Sequence, residues 1–394
     1  MMRRRQFLAA AGASVAAAST GLGAVDAAAK SRAARPLRIL MLGGTRFIGV
    51  HMTRLALERG HEVTHFTRGR SGQGLFPSVR QLNGDRNGQL DALASGEWDA
   101  IIDNSGYVPR HVRLTAELLA PRARQYVFVS SISVYPDFSV PRGEDSAVGK
   151  LDDETVEKVD GATYGPLKAL CEQAAERAFP GRTTILRPGL IVGPEDNTDR
   201  FTYWPARAAR GGEFIAPVGP REAIQIIDAR DLAAFTLRSV EQRTMGVFNL
   251  VSAPGQFTIG DIVAESVRAA RRLAQPAVPP QPRWLPLEFL DAHKIEGWSD
   301  LPVWSASREG EAAFAATPVR RALQAGLSVR AMRNTVADTL AWHLARPEAQ
   351  RETLKAGISA EREAAALAAW RESSTKRPGP AAGVASHEAL DVAS

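Results

Sequence analysis

The sequence predicts an α/β protein built on a doubly wound parallel sheet, followed by a smaller C-terminal substrate lobe. Three observations predict it: a Gly-rich turn between strand and helix in LRILMLGGTRFIGVHM, short apolar runs alternating with helical patterns over residues 36–190, and a loss of that regularity beyond Gly189. Strands that alternate with helices pair in parallel, because each crossover helix carries the chain back to the same end of the sheet.

The elements follow in order. LRILML is a run of strand length that stops at Gly43-Gly44, and RFIGVHMTRLALERG carries Phe47, Ile48, Met52, Leu55 and Ala56 on a helical stripe before Gly60 stops it. EVTHF, VRQLNGD, WDAIID, RQYVFVSS and RTTILRPG read as strands two to six, with helices over Pro109–Leu119 and Tyr164–Ala178. FTYWPARAARGG, EAIQIIDARDLAAF, GVFNLVSAPGQFTIGDIVAESV and the Pro-rich AQPAVPPQPRWLP belong to a lobe over 191–372, part of which returns to the sheet. Residues 373–394 lack apolar periodicity and read as a disordered tail.

Residues 1–29 read as an export signal. Arg3, Arg4 and Arg5 form a charged start, Phe7 to Val25 a weakly apolar run, and Ala27-Ala28-Ala29 a small-residue cleavage site. Arg4-Arg5-Gln6-Phe7-Leu8 resembles the twin-arginine signal, which implies the twin-arginine export machinery as a partner and a periplasmic or secreted protein. The competing reading is an uncleaved amphipathic or membrane-spanning helix; Gly12, Gly21 and Gly23 weigh against it, since a span wants about 20 predominantly apolar residues. No cysteine near Ala29 offers a lipid anchor, so no stable membrane anchor is expected, and the single Cys171 excludes an intrachain disulfide. Losing residues 1–29 removes three arginines and one aspartate, lowering the formal charge from +6 to +4 on 365 residues. That is too small and dispersed to argue for nucleic acid.

The loop Gly43–Gly49 sits where a dinucleotide loop must sit. Its backbone can approach a pyrophosphate while the helix N-terminus offers free N–H groups, so Gly43, Thr45, Arg46, Phe47, Ile48 and Gly49 are candidate cofactor residues. Arg46 occupies the middle position of G-x-x-G-x-x-G, where a guanidinium can pair with phosphate oxygens instead. The second strand ends in Thr67-Arg68 with no carboxylate for a ribose 2′-hydroxyl, which favours NADP over NAD; the alternative is that Arg68 and Arg70 are solvated loop charges. His61-Glu62-Val63-Thr64-His65 matches H-E-x-x-H, but in a strand the two histidines stand about 13 Å apart and cannot share a zinc, so no metal site is expected. Tyr164 and Lys168 are four apart at the start of a helix and project from one face. A nearby ammonium is expected to lower the phenol's pKa and let it exchange protons near neutrality. The serine cluster ending YVFVSSISVYP could hydrogen-bond a substrate oxygen.

Taken together, LGGTRFIG, NGD, IIDNSGY, VSSISVY, YGPLK, LRPGLIVGP and IQIIDARDLA resemble an extended or atypical short-chain dehydrogenase/reductase of the NAD-dependent epimerase/dehydratase family, over about residues 37–372. The resemblance implies a Rossmann-like fold, Tyr164 as catalytic base or acid, and Lys168 as the residue that tunes it and holds the nicotinamide ribose. It implies Ser131 as the catalytic hydroxyl, with Ser133 a substrate-side neighbour and Ser130 the alternative. It further implies Asp85 at the adenine, Asn104, Ser105 and Gly106 lining the cofactor, and Arg187, Pro188 and Gly189 flanking the nicotinamide. Its members pair through two long helices, which makes a homodimer an expectation. The function implied is oxidation of a hydroxyl-bearing carbon, of a sugar or nucleotide-sugar, to a transient ketone that is then re-reduced. The alternatives are a net NADP-dependent reductase or dehydrogenase, or a non-catalytic RNA-binding relative, since the GGTRFIG loop also resembles plastid stem-loop-binding proteins. The modest charge and the export signal weigh against RNA, so a small carbohydrate derivative is the expected partner and nucleic acid is not.

Overall fold

A computed structural model of the chain describes residue 33, residues 35–305 and residues 311–376. The expected signal over 1–29 and the part of the expected tail beyond Lys376 lie outside these residues. Ser373 to Lys376, read from the sequence as tail, instead continue the last helix.

The first half runs β1 (Arg38–Leu42), α1 (Ile48–Glu58), β2 (Glu62–Thr67), β3 (Arg80–Asn83), β4 (Ala100–Asp103), α2 (Pro109–Leu119), β5 (Tyr126–Val129), α3 (Tyr164–Ala178) and β6 (Thr183–Pro188). The second continues with β7 (Leu190–Val192), α4 (Tyr203–Ala209), β8 (Glu213–Pro217), β9 (Ala223–Ile224), β10 (Ile226–Asp228), α5 (Ala229–Gln242) and β11 (Gly246–Leu250). Then come β12 (Phe257–Thr258), α6 (Ile259–Leu273), β13 (Gln281–Leu285), α7 (Leu287–Ala292), α8 (Arg320–Gln324), α9 (Met332–Leu344), α10 (Glu348–Glu352) and α11 (Ala360–Lys376).

Seven strands form one parallel sheet in the order β11-β6-β5-β4-β1-β2-β3. This is the doubly wound α/β sheet that the sequence predicts. Side chains alternate across it, as a pleated strand requires. Ile39 and Met41 of β1 face a core shared with Met52 and Ala56 of α1 and with Leu232 and Leu237 of α5. Leu40 and Leu42 face the other core, with Val112 and Leu119 of α2 and Ala174 and Ala175 of α3. The chain leaves the sheet after β6, builds a lobe around buried Phe201, Trp204 and Phe214, and returns to add β11 beside β6.

Strand geometry also disposes of the paired histidines. His61 Nε2 lies 2.9 Å from a Glu241 carboxylate oxygen, whereas His65 Nε2 lies 2.9 Å from the Thr53 hydroxyl, so the two rings serve separate packing contacts. Burial pulls the His65 pKa down to about 4, which keeps that ring neutral.

Candidate active site

The site lies along the C-terminal ends of β1, β4 and β5, where parallel strands deliver the chain into loops. At the end of β1, Gly43 and Gly44 have φ of +117° and +95°, values that side chains rarely tolerate. A Cβ on Gly43 would lie 2.0 Å from Asn104 Oδ1, and one on Gly49 2.7 Å from the Gly44 Cα, so the turn closes only with glycine at both positions. Helix α1 begins with Phe47 at φ +37°, a strained conformation, and no side chain caps its first turn. Thr45 ties the loop to the next one through a 3.0 Å contact between its hydroxyl and that of Ser71. Ile48 is half-buried, while Arg46 and Arg68 are exposed and neither guanidinium has a hydrogen-bond or ion-pair partner among the described residues. Arg46 therefore does not disrupt the turn: its side chain leaves the loop, and its carbonyl accepts the Gly49 N–H at 2.9 Å.

Around the ends of β3 and β4 the expected residues are tied into the protein. Ser105, expected to line the cofactor, donates its hydroxyl to the Leu42 carbonyl at 2.8 Å and so laces β4 to β1. Asp85, expected at the adenine, uses one carboxylate oxygen to accept the Asn87 N–H at 2.9 Å in a tight turn. The residue that reaches inward is Arg86, which was not singled out. It donates to both oxygens of fully buried Asp103, at 2.7 and 2.6 Å, and to the Thr115 hydroxyl at 2.8 Å. The Tyr126 phenol donates to the same carboxylate at 2.7 Å. Among the described residues, the buried Asn104 Nδ2, next to Asp103, and Ser130 Oγ, at the end of β5, have no hydrogen-bond partner.

Tyr164 and Ser131 come together. Ser131 follows β5 and accepts the Ser133 N–H at 3.0 Å while donating to the Ser133 hydroxyl at 3.0 Å. Tyr164 opens α3, and its phenol lies beside the Ser131 hydroxyl, which favours the ionised form. Gly165 permits this approach, because a Cβ there would fall 2.0 Å from the Ser133 carbonyl oxygen. Tyr164, Ser133 and Tyr135 line a cavity of about 650 Å³, walled otherwise by Pro136, Gly149–Lys150 and Val159–Ala162. These walls come from the connection between β5 and α3 and from the first turn of α3, rather than from the lobe.

Lys168 departs from expectation. Its ammonium, wholly buried, donates to the Val129 carbonyl at 2.6 Å and to the Gly106 carbonyl at 2.8 Å, and lies 4.4 Å from the centre of the Phe128 ring. Burial pulls its pKa down to about 8. It does not lower the Tyr164 phenol, whose pKa is pushed up by burial, and by neighbouring Tyr107 next. The groups that pull the phenol back down are the Ser131 hydroxyl and the guanidinium of Arg200. At the end of β6, Pro188 is buried and Gly189 half-buried, but the Arg187 side chain turns away to form a buried bidentate pair with Glu172, at 2.9 and 2.6 Å. Arg200 escaped the sequence reading because it belongs to the loop after β7 and meets Tyr164 only through tertiary structure. Asp103 did leave a signal, an acid ending an otherwise apolar strand.

Three relatives place the chain. The chloroplast stem-loop binding protein of 41 kDa b of Arabidopsis thaliana is 27% identical over 239 residues, 54% of this chain and 58% of its own length, so the chain spans less than two thirds of that relative. The crystal structure of human epimerase family protein SDR39U1 (isoform 2) with NADPH has a TM-score of 0.50 at 21% identity, covering 77% of this chain and 99% of that one. The UDP-glucose 4-epimerase of Thermotoga maritima with UDP-glucose has a TM-score of 0.55 at 14% identity, covering 77% and 98%. Both structures share the fold. The model of the NAD dependent epimerase/dehydratase family matches residues 39–250, from β1 through β11, and the chain belongs to that family.

Proposed function

We propose that this protein is an NADP-dependent oxidoreductase of the epimerase/dehydratase type, acting on a hydroxyl-bearing carbon of a sugar or nucleotide-sugar through a transient ketone. The observation that carries the reading is the Tyr164 phenol in the wall of an open cavity, with Ser133 in the same wall and Ser131 beside the phenol, together with a glycine turn that ends in an uncapped helix. The residues present fit a dinucleotide: glycines at 43 and 49, exposed Arg46 and Arg68 without protein partners, and Asn104 Nδ2 and Ser130 Oγ buried without partners. Bound there, NADP would supply the hydride exchange that no side chain can perform. The chloroplast relative's name favours RNA, and it names the competing reading.

The chain's own residues supply the proton chemistry. Tyr164, its pKa raised, holds its proton at neutral pH and is poised to give it to a carbonyl oxygen, with the Ser131 hydroxyl beside the phenol. In the oxidative direction the phenol must first lose that proton, which higher pH favours. Lys168 fixes the ends of β4 and β5 through two carbonyls and keeps one N–H for a further acceptor.

The test is Tyr164→Phe, which removes only the phenol oxygen. Turnover is expected to fall by roughly two to four decades, the usual worth of positioned acid–base catalysis, with the circular dichroism spectrum unchanged. Turnover within a few-fold of wild type sinks the assignment, as does tighter binding of NAD than of NADP for the cofactor choice. RNA retained by the full chain at low salt and released at high salt would favour the stem-loop reading. The export signal over 1–29 supports a periplasmic destination, tested by fractionating cells that make the full chain. A folded protein exported with its dinucleotide favours epimerisation or elimination over net redox, because both return the hydride.

A further inference from the structure

We propose that Arg200 and Trp298 form a subsite for an acidic sugar. The indole packs on the C–H face of the ring, and the guanidinium pairs with a carboxylate or phosphate carried by the reacting ring itself. The inference rests on the sugar-oxidoreductase reading above and narrows its substrate class.

Trp298 is an outlier. It is 42% exposed and sits at φ +69°, a left-handed conformation that strains a bulky residue and persists only where its surroundings enforce it. Here they do. Its N–H donates to the Trp304 carbonyl at 2.9 Å, Gly297 lies so close that a Cβ would be 2.9 Å from the same oxygen, and Asp300 accepts the Glu296 N–H at 3.0 Å. Arg362 pairs with Asp300 from α11 and fixes the turn from outside. The fold thus holds a large ring in the open at a backbone cost.

Arg200 stands over that ring at 5.9 Å from its centre. Its Nε donates to the Thr198 hydroxyl at 3.1 Å, and its two terminal nitrogens have no protein partner among the described residues. Three other half-buried or buried arginines carry a carboxylate, Arg86 with Asp103, Arg187 with Glu172 and Arg346 with Asp199, whereas Arg182 is turned to main-chain carbonyls. Next to Arg200, the Asp196 carboxylate is turned to the Thr198 N–H and hydroxyl, at 2.9 and 2.6 Å. A guanidinium with both ends of its fork free matches a carboxylate or phosphate in shape and charge.

The pair is joined to the cavity by aromatic contacts. Trp298 meets Phe314 edge-on at 5.7 Å, Phe314 meets Phe138 at 5.2 Å, and Phe138 meets Tyr135, which lines the Tyr164 cavity, at 6.4 Å. The Arg200 charge also reaches the Tyr164 phenol. On this continuity the anion on Arg200 is assigned to the ring whose carbon faces Tyr164, and UDP alone as the reference separates it from a remote diphosphate.

Calorimetric titration of the full chain, loaded with NADP, tests this with matched pairs: glucuronate against glucose, glucose 6-phosphate against glucose, and UDP-glucuronate against UDP-glucose, with UDP alone as reference. At least one acidic sugar is expected to bind about 10-fold or more tightly than its neutral partner, the worth of one good charge-assisted pair. Arg200→Met should erase that preference and Arg200→Lys restore part of it, while Trp298→Ala weakens acidic and neutral sugars alike and leaves UDP unchanged. No acidic preference in the wild type, a preference that survives Arg200→Met, or an equal loss of UDP itself in that variant would overturn the subsite. An Arg200-dependent preference alongside full turnover by Tyr164→Phe would keep the subsite and remove the catalytic reading; Tyr164-dependent turnover without the preference would do the reverse.

Discussion

Tyr164 and Lys168 lie one helical turn apart on α3, yet they face different ways: the phenol toward the cavity, with Ser131 beside it, the ammonium toward the carbonyls of Val129 and Gly106. The lysine's position has a consequence for stability. Its pKa of about 8 in the folded chain lies below the ordinary 10.5, so folding pays a charge-burial penalty that is fully present below pH 8 and gone above pH 10.5. Lys168→Met carries no such penalty. Raising the pH from 7.5 to 10.5 is therefore expected to stabilise the wild type relative to the variant, by on the order of 3 kcal/mol. Paired urea titrations across that range check it, and parallel pH profiles would contradict it. At this scale the sequence revealed which residues meet, because Tyr164 and the Ser131 cluster close ordered motifs. It could not reveal where the ammonium points. That depends on two main-chain carbonyls from different strands, and on burial that outweighs any pull of Lys168 on the phenol.

The approach of α3 to the loop after β5 sets the reactive geometry, and Gly165 controls it. Alanine is ordinarily the better helix former by about 1 kcal/mol, so Gly165→Ala would strengthen α3 in isolation. In place, its methyl meets the Ser133 carbonyl at 2.0 Å and must push Tyr164 away from Ser131. We expect a fall in kcat of about tenfold or more, since misplacement of about 1 Å can cost a hundredfold, with NADP affinity unchanged because the glycine turn at Gly43 is untouched. Stopped-flow turnover beside a cofactor titration separates the two, and an unchanged kcat would contradict the argument. Strands β1 to β6 and helices α1 to α3 were legible from apolar runs ended by Gly, Pro and Ser. The lobe was not, because β9 and β12 are two residues each and exist only through their mutual pairing.

Sheet and lobe are joined by buried charge between α5 and α9. Asp228 accepts from Arg230 at 2.7 Å and from the Thr335 hydroxyl at 2.8 Å, while Arg330 pairs with Asp231 at 2.8 Å. Burial pushes the Asp231 carboxyl up to about 6 even with that partner. Arg330→Met would strand it, and the loss of unfolding free energy is expected to reach about 3–5 kcal/mol near neutral pH. A urea midpoint close to that of wild type would show the pair to be incidental. The closing strand has a further consequence, for the order of folding. Since β11 docks on β6 only after residues 189–245 have been laid out as the lobe, its pairing is among the most distant in the chain. Such contacts carry a loop-closure entropy that must be met before any reward arrives, and they slow the search for the native state. The β4–β5 pair, whose register joins Ile101 to Tyr126, closes a much shorter loop than the Thr184–Gly246 register of β6 and β11, so amide exchange during refolding should protect Val127 and Ile102 well before Phe248.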